Sequence, residues 1–425
     1  MTLDARARRA ARDFRDAVEG MDRSAPKPSA ERFDRYRRQR ERNSRFSAAA
    51  LAIVVSVAAA ILVVGALGSP RREVPANPLA PSGLIVFNDM IPQQDGSDFV
   101  VSYTVNPDGS DRTTVGPPGT TACGDNDNPV SPDGSKILCM VFRPDLTVGT
   151  VGTATVDADG SDYTVLSDPK LPKSFGCGAW SPDGTRLLCP WTSDGVYTVK
   201  PNGTGLLQLT STPAGDGPSG YANDASHAYF TVKSPSEFRT LYSVNTDGTG
   251  GLTALSPLSV SVHDNGYFDG VSADSSPDGS NVVFAADVTN TKRALYVVNV
   301  DGSGLRQIGP PAGLNPTSAQ WSPDGDWIAF SAPPTSNYAE VYLIHPNGTG
   351  LREVTSPDDA CSSFAPIWSP DGTKLLFETQ CYSGSQVTST RLETANLDGM
   401  GMSKVADLNG LTSYGWGRLA ASELE

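Results

Sequence analysis

The sequence predicts an all-β fold, a ring of seven four-stranded units closed by its own C-terminal strand. Three observations predict it. A Ser-Pro-Asp-Gly turn recurs at Ser131–Gly134, Ser181–Gly184, Ser276–Gly279, Ser322–Gly325 and Ser369–Gly372. A second short turn, of Asn/Asp-Gly type, recurs at Asn106–Gly109, Asp157–Gly160, Lys200–Gly203, Asn245–Gly248, Asn299–Gly302, His345–Gly348 and Asn396–Gly399. Eight residues after each Ser of the first turn stands a large or sulfur-bearing residue: Cys139, Cys189, Phe284, Phe330 or Phe377. Degenerate copies add Phe230, after Ala222–Ala225, and Phe87, after Leu84–Val86. The seven anchors are 52, 50, 41, 54, 46 and 47 residues apart. A repeat of that length is one supersecondary unit that cannot bury its apolar face alone, and roughly 40–50 residues suits a four-stranded propeller blade.

The elements follow in order. Within a unit the apolar runs are short and rich in β-branched and aromatic residues, as in Trp327–Phe330, Val341–Ile344 and Leu295–Asn299. Runs of that kind bounded by Pro, Asp, Asn and Gly read as strands. In the turns, Pro presets φ, Asp caps backbone groups and Gly takes positive φ. The first unit lacks its first strand, since nothing like Trp-Ser-Pro precedes Gly83–Phe87. The chain ends in Tyr414-Gly-Trp416-Gly417, and Trp416 matches Trp180, Trp321 and Trp368, each just before the Ser of its turn. The last segment therefore supplies the missing strand and closes residues 83–417 into a seven-bladed β-propeller with few open edges. Residues 418–425 are left as a tail.

These residues resemble the TolB-like, PD40-type (WD40-like) propeller repeats: Trp-Ser-Pro-Asp-Gly, then Ile-x-Phe, Ile/Val-Tyr, Asn-x-Asp-Gly, and Leu-Thr as in Leu209-Thr210. The resemblance runs from about Gly83 to Gly417 and implies a fold, not a chemistry. TolB is a soluble exported protein with an α/β domain before its propeller, and this sequence shows neither feature, so the resemblance carries over no Tol–Pal role.

The N-terminal part is unlike the repeats. Residues 1–46 hold 14 Lys or Arg against 8 Asp or Glu, a net of +6; with −14 for the whole chain, the remainder carries −20. Ser47–Leu67 is 21 residues without a charge, long enough to cross ~30 Å of hydrocarbon as a helix. Six Arg lie between Arg35 and Arg45, against Arg71 and Arg72 beyond the segment. The excess places the N-terminus in the cytoplasm and the repeats outside. A cleaved signal peptide is the competing reading; a basic region of 46 residues is long for one, and no Cys follows to accept a lipid. The expectation is a cell-membrane protein with a single-pass anchor at 47–67. Residues 68–82, with Pro70, Pro75, Pro78 and Pro81, form a stiff stalk.

In residues 1–21, Leu3, Ala7, Ala10, Phe14, Ala17, Val18 and Met21 recur at helical spacing with Arg and Asp between them, an amphipathic pattern ended near Gly20. Two readings stand: a basic helix on anionic lipid, or a docking helix for a cytoplasmic partner. The layout resembles membrane-bound anti-sigma regulators, although no His or Cys occurs in the first 46 residues to supply a zinc-type motif.

All six Cys fall in the repeats, and an even number confined to an exported region suggests disulfides. Cys177 and Cys189 lie six residues on either side of Asp183, and Cys361 and Cys381 ten on either side of Asp371. If each turn centres on its Asp, each pair sits opposite across a hairpin and both fall on one face. Cys123 and Cys139 centre on Ser131, off that register, and pair only if 124–129 folds back. A metal site is the alternative; there is no C-x-x-C and no nearby His to favour it.

In a four-stranded meander the two repeated turns share one rim, while the second–third and fourth–first connections share the other and vary in length. Variable loops on a rigid scaffold are where binding usually lives. The longest, 256–273, carries His263, Asp264 and Tyr267, a possible ligand-face loop; the plainer reading is a turn whose aromatic packs on the next blade. The acidic loop Asp125-Asn-Asp127 has oxygen ligands for Ca²⁺ but lacks EF-hand spacing. An acidic ring poor in Lys and Arg argues against nucleic-acid binding. No G-x-S-x-G elbow exists, and three scattered His do not suggest a metal-dependent lyase. No cofactor is implied. The sequence thus points to a non-catalytic binding or scaffold module for an envelope protein or ligand, with a transmembrane regulator as the alternative.

Overall fold

The computed structural model describes residues 83–417, apart from 94–97, 124–128, 143–150, 167–174, 191–194, 212–218, 234–238, 257–260, 263–272, 290–291, 310–313, 334–337, 356–359 and 411–412. The segments 1–46, 47–67, 68–82 and 418–425 lie outside the described residues. Among the described residues no helix is long and apolar enough to cross a membrane.

The described strands form seven antiparallel sheets in sequence order around a ring. Blade 1 is completed by both chain ends: Tyr414–Gly417 pairs with Leu84–Pro92, followed by Asp98–Val105 and Thr113–Val115. In blades 2 to 4 the first strands are Thr121–Ala122, Ala179–Trp180 and Ser219–Tyr221; in blades 6 and 7 they are Thr317–Trp321 and Cys361–Trp368. Blade 5 has a split first strand, Ser261–Val262 and Ala273–Ser275, both paired with Asn281–Thr289. From blade 3 round to blade 1, first strands of successive blades touch one another, so they lie innermost.

The sequence anchors are the core. Phe87, Cys139, Cys189, Phe230, Phe284, Phe330 and Phe377 all have no exposed surface. Each anchor whose cluster spans two blades packs on the preceding one: Phe330 with Val283, Ala285, Leu295 and Val297 of blade 5, Phe377 with Ala329, Val341 and Leu343 of blade 6, and Phe87 with Leu376 and Leu392 of blade 7. Burying one such ring stabilises by roughly 1.5–3 kcal/mol. Three anchors also stack on the Tyr directly opposite in the third strand, with Phe87–Tyr103, Phe284–Tyr296 and Phe330–Tyr342 centroids 5.4, 5.5 and 5.6 Å apart.

The turns form as read. In Ser131–Gly134 the Gly134 N–H donates to Ser131 O (2.8 Å) and Gly134 sits at φ 76°. Asp133 Oδ1 accepts the Ser131 hydroxyl (2.6 Å) and the Ser135 N–H and hydroxyl (3.1 and 2.9 Å). The Ser131 hydroxyl foremost holds that carboxyl below its usual range. The degenerate copy in blade 4 makes the same turn with Ala225 at φ 59°, in the region that favours glycine. Successive turns also touch: a Cβ on Gly184 would meet Pro132 at 3.6 Å, on Gly325 Pro277 at 3.5 Å, and on Gly372 Pro323 at 3.5 Å.

Closure matches its expectation in register. Trp416 pairs with Ile85, as Trp180 does with Leu187, Trp321 with Ile328 and Trp368 with Leu375. The flanking glycines are steric requirements, since a Cβ on Gly415 would overlap Pro129 and one on Gly417 would overlap Val130. Indole N–H groups staple neighbouring blades: Trp180 Nε1 donates to Pro129 O (3.1 Å) and Trp368 Nε1 to Gln320 O (3.3 Å).

Candidate binding face

Two rims differ in kind. The Ser-Pro-Asp-Gly and Asn/Asp-Gly turns occupy one, here the turn rim. The connections between the opposite ends of the strands form the other, here the loop rim.

The three cysteine pairs are bonded, Cys123–Cys139, Cys177–Cys189 and Cys361–Cys381, with Cα atoms 4.0, 3.7 and 3.9 Å apart and no free cysteine. Each ties the first strand of its blade to the second. Their register has a cause that the sequence did not display. Next to the turn, pairing centres between Asp and Gly: Trp368↔Leu375 and Ile367↔Leu376. A bulge between Phe364 and Ile367 then shifts the ladder by one residue, which brings Cys361 opposite Cys381. Asp-centred counting therefore finds the right pair because the bulge supplies the missing residue. Blade 6 carries the same irregularity between Thr317 and Gln320.

In two blades this position has grown into an insertion. In blade 2, Ala122 pairs with Met140, the Leu138 N–H donates to Pro129 O, and Cys123 is bonded to Cys139; residues 124–128 lie outside the described residues. In blade 5, Val262 pairs with Ala286 and Ala273 with Phe284, so ten residues of sequence separate positions only two apart on the facing strand. His263, Asp264 and Tyr267 lie outside the described residues, as do Asp125 and Asp127. The sequence put 256–273 wholly between blades, but Ser261–Val262 within it pairs with Asn281–Thr289 of blade 5.

Side chains from adjacent blades seal the blade 7 bulge. The Tyr414 hydroxyl of the closing strand donates to Ala365 O (2.8 Å) and Phe364 O (3.1 Å) and accepts from the Glu378 N–H (3.0 Å). Ser318 and Ala365, the bulge residues, sit at φ 53° and 48°; such non-glycine conformations cost on the order of 1 kcal/mol and persist where packing over-determines them.

Two acids near this level are perturbed. Asp274 directly follows the blade 5 insertion. Its Oδ2 accepts the Trp321 N–H of blade 6 (2.8 Å) and its Oδ1 the Ser275 N–H (2.9 Å). Burial pushes its carboxyl up to about 7, against the two N–H bonds that favour the anion. Glu340, buried at the start of blade 6's third strand, is pushed up to about 8 by burial and then by the neighbouring Glu353 carboxyl. Blade 7 adds a buried chain in which Tyr382 Oη donates to Gln380 Oε1 (2.8 Å) and Gln380 Nε2 to Glu378 Oε1 (2.9 Å). Sequence reasoning missed Asp274, Glu340 and Glu378; a charge inside an otherwise apolar strand run was the available signal. Among the described residues no group of three or more His, Cys, Asp or Glu could hold a metal ion.

No protein-family model matches the chain, and no curated protein matches it. Similar solved structures are numerous. The β-propeller domain of the Trilobed protease from Pyrococcus furiosus is 12% identical, with a TM-score of 0.53 over 77% of this chain and 93% of that one. An oligogalacturonate lyase from Vibrio parahaemolyticus is 17% identical, with a TM-score of 0.51 over 78% and 88%. TolB from Acinetobacter baumannii is 15% identical, with a TM-score of 0.47 over 79% and 83%. What is shared is the β-propeller fold. The propeller of the Trilobed protease is described as having an open velcro topology, whereas this propeller pairs its last strand with its first.

Proposed function

We propose that the chain is a membrane-anchored, extracytoplasmic propeller that acts as a non-catalytic binding module for an envelope protein or ligand, engaged at the loop rim. The observation that carries this reading is the division of the molecule. Repeated, hydrogen-bonded turns fill one rim, while the connections between the other strand ends differ in length and sequence from blade to blade. The bonded cysteine pairs suit an oxidising compartment, and the uncharged segment 47–67 with its Arg-rich flank suits an anchor. Nucleic acid is not the partner proposed for an acidic ring.

Site-specific photo-crosslinking from the flanks of the insertions, at Val262 and Thr121, in intact cells tests this. The expected outcome is one discrete adduct from loop-rim positions and none from the turn-rim position Asp301. Equal labelling from both rims, or turnover of an oligosaccharide or peptide by the purified chain, would overturn it. The regulator reading rests on the amphipathic pattern in residues 1–21. It requires residues 1–46 to retain a cytoplasmic protein in a manner abolished by Phe14→Asp; retention by lipid alone would leave an anchor without a signalling role.

A further inference from the structure

We propose that the turn rim of blades 5 to 7 is a lipid-contacting surface that rests on the bilayer into which the chain is anchored. The proposal depends on the anchor reading above. Seven large apolar residues are exposed among the described residues, and four of them, Leu305, Leu351, Met400 and Met402, lie on this arc at 39, 37, 68 and 51% exposure. Leu305, Leu351 and Met402 stand at one repeat position, the residue after Gly-x-Gly behind the second turn, so three consecutive blades present one apolar tip each at one level of the rim. A row of this kind suits a flat surface.

Blade 7 departs from the repeat in the same direction. Elsewhere the residue after the turn Gly is Ser or Thr, whose hydroxyl bonds the turn carboxylate or amide: Ser110 to Asp108 (2.6 Å), Thr204 to Asn202 (2.7 Å), Ser303 to Asp301 (2.6 Å) and Thr349 to Asn347 (2.7 Å). Blade 7 has Met400, which keeps only the backbone N–H bond to Asp398 (2.9 Å) and places a thioether in solvent. Basic residues follow the apolar tips: Arg306, Arg352 and Lys404. Arg306 donates to Pro346 O, Arg352 lies over the Trp327 ring and Lys404 pairs with Asp407; with the exposed acids Asp301 and Asp398 the arc carries both signs of charge, as zwitterionic headgroups do.

The ends of the described chain favour this rim. Gly83 and Gly417 both emerge there, since Leu84 pairs with Gly417 and Ile85 with Val105, the residue before the blade 1 turn. Fifteen residues separate the apolar segment from Gly83, a span of at most about 45 Å in polyproline II form. Seating the loop rim instead would use about 30 Å of that reach to pass a nine-residue strand, whereas seating the turn rim uses none of it.

The test uses the full chain reconstituted into phosphatidylcholine vesicles, with an environment-sensitive fluorescent amino acid at residue 351 or 402, or at 387 on the loop rim as reference. Spin-labelled lipids should quench the 351 and 402 reporters at least about two-fold more than the 387 reporter, and Leu305→Asp should reduce quenching at 402. Chain that floats with the vesicles while all three reporters are quenched equally would overturn the proposal and leave the anchor intact. Chain that does not float would overturn both. Emission shifts that follow protein density instead of lipid spin label would assign the arc to a second copy of the chain.

Discussion

Replacing Tyr414 by Phe removes one oxygen from the seam and should weaken the whole ring. That hydroxyl donates between two bulge carbonyls, Ala365 O and Phe364 O, and accepts from the N–H of Glu378, a residue with no exposed surface. A net hydrogen bond contributes about 0.5–1.5 kcal/mol, and leaving a buried group unpaired costs about 1–3 kcal/mol. With two bonds lost and the ring otherwise isosteric, the expected destabilisation is about 2–4 kcal/mol. Urea denaturation followed by tryptophan fluorescence should show a lower midpoint at unchanged slope, because the surface exposed on unfolding is unaltered. Hydrogen exchange should be faster at Ile85–Phe87, which pair with the closing strand, than at the distant ladder of blade 4. A loss below about 0.5 kcal/mol would refute the reasoning, since it would mean that water fills the bulge and that Tyr414 is not its seal.

Other outcomes follow from the same geometry. Ala225→Gly relieves a left-handed alanine in the blade 4 turn and should stabilise by about 1 kcal/mol in the same urea assay. Gly415→Ala places a methyl on Pro129 and should destabilise closure by more than about 3 kcal/mol, seen as loss of soluble exported chain. Mass spectrometry after alkylation should find six protected cysteines until a reductant is added, and Cys361→Ala with Cys381→Ala should cost about 2–4 kcal/mol. Asp274 has its folded value raised to about 7 from 3.8. Folding therefore favours its protonated form, so its stabilising contribution is full below about pH 4 and is lost as pH rises through about 7. Relative to Asp274→Asn, thermal unfolding of the native chain should fall across that window, by at most ~4 kcal/mol.

Most of the architecture was legible because it repeats. The anchors, the paired turns and the match of Trp416 to Trp180, Trp321 and Trp368 gave blade number and closure, and each of these residues occupies its expected place. The bulges were not legible. Ser318 and Ala365 take positive φ although neither is glycine or asparagine, because the conformation is imposed by the pairing on either side and, at Ala365, by Ser331 and Tyr414 from nearby strands. The cysteine pairs could be read through this blindness only because a one-residue bulge preserves the count about Asp371. The candidate site was the least legible part. Asp274 and Glu340 carry only the weak signal of a charge in a strand run, and it is burial that changes their chemistry.

The way blade 1 is assembled also governs how the molecule bears force. Leu84–Pro92 is hydrogen-bonded along its length to Asp98–Val105 and over its first half to Tyr414–Gly417. A pull applied through the residue before Gly83, resisted by something held at the opposite rim, runs along that strand and loads these bonds together, in shear. A pull that separates the two chain ends meets the pair Leu84↔Gly417 first and opens the ladder one bond at a time. The ring is therefore strong against tension along its axis and weak against peeling at its seam.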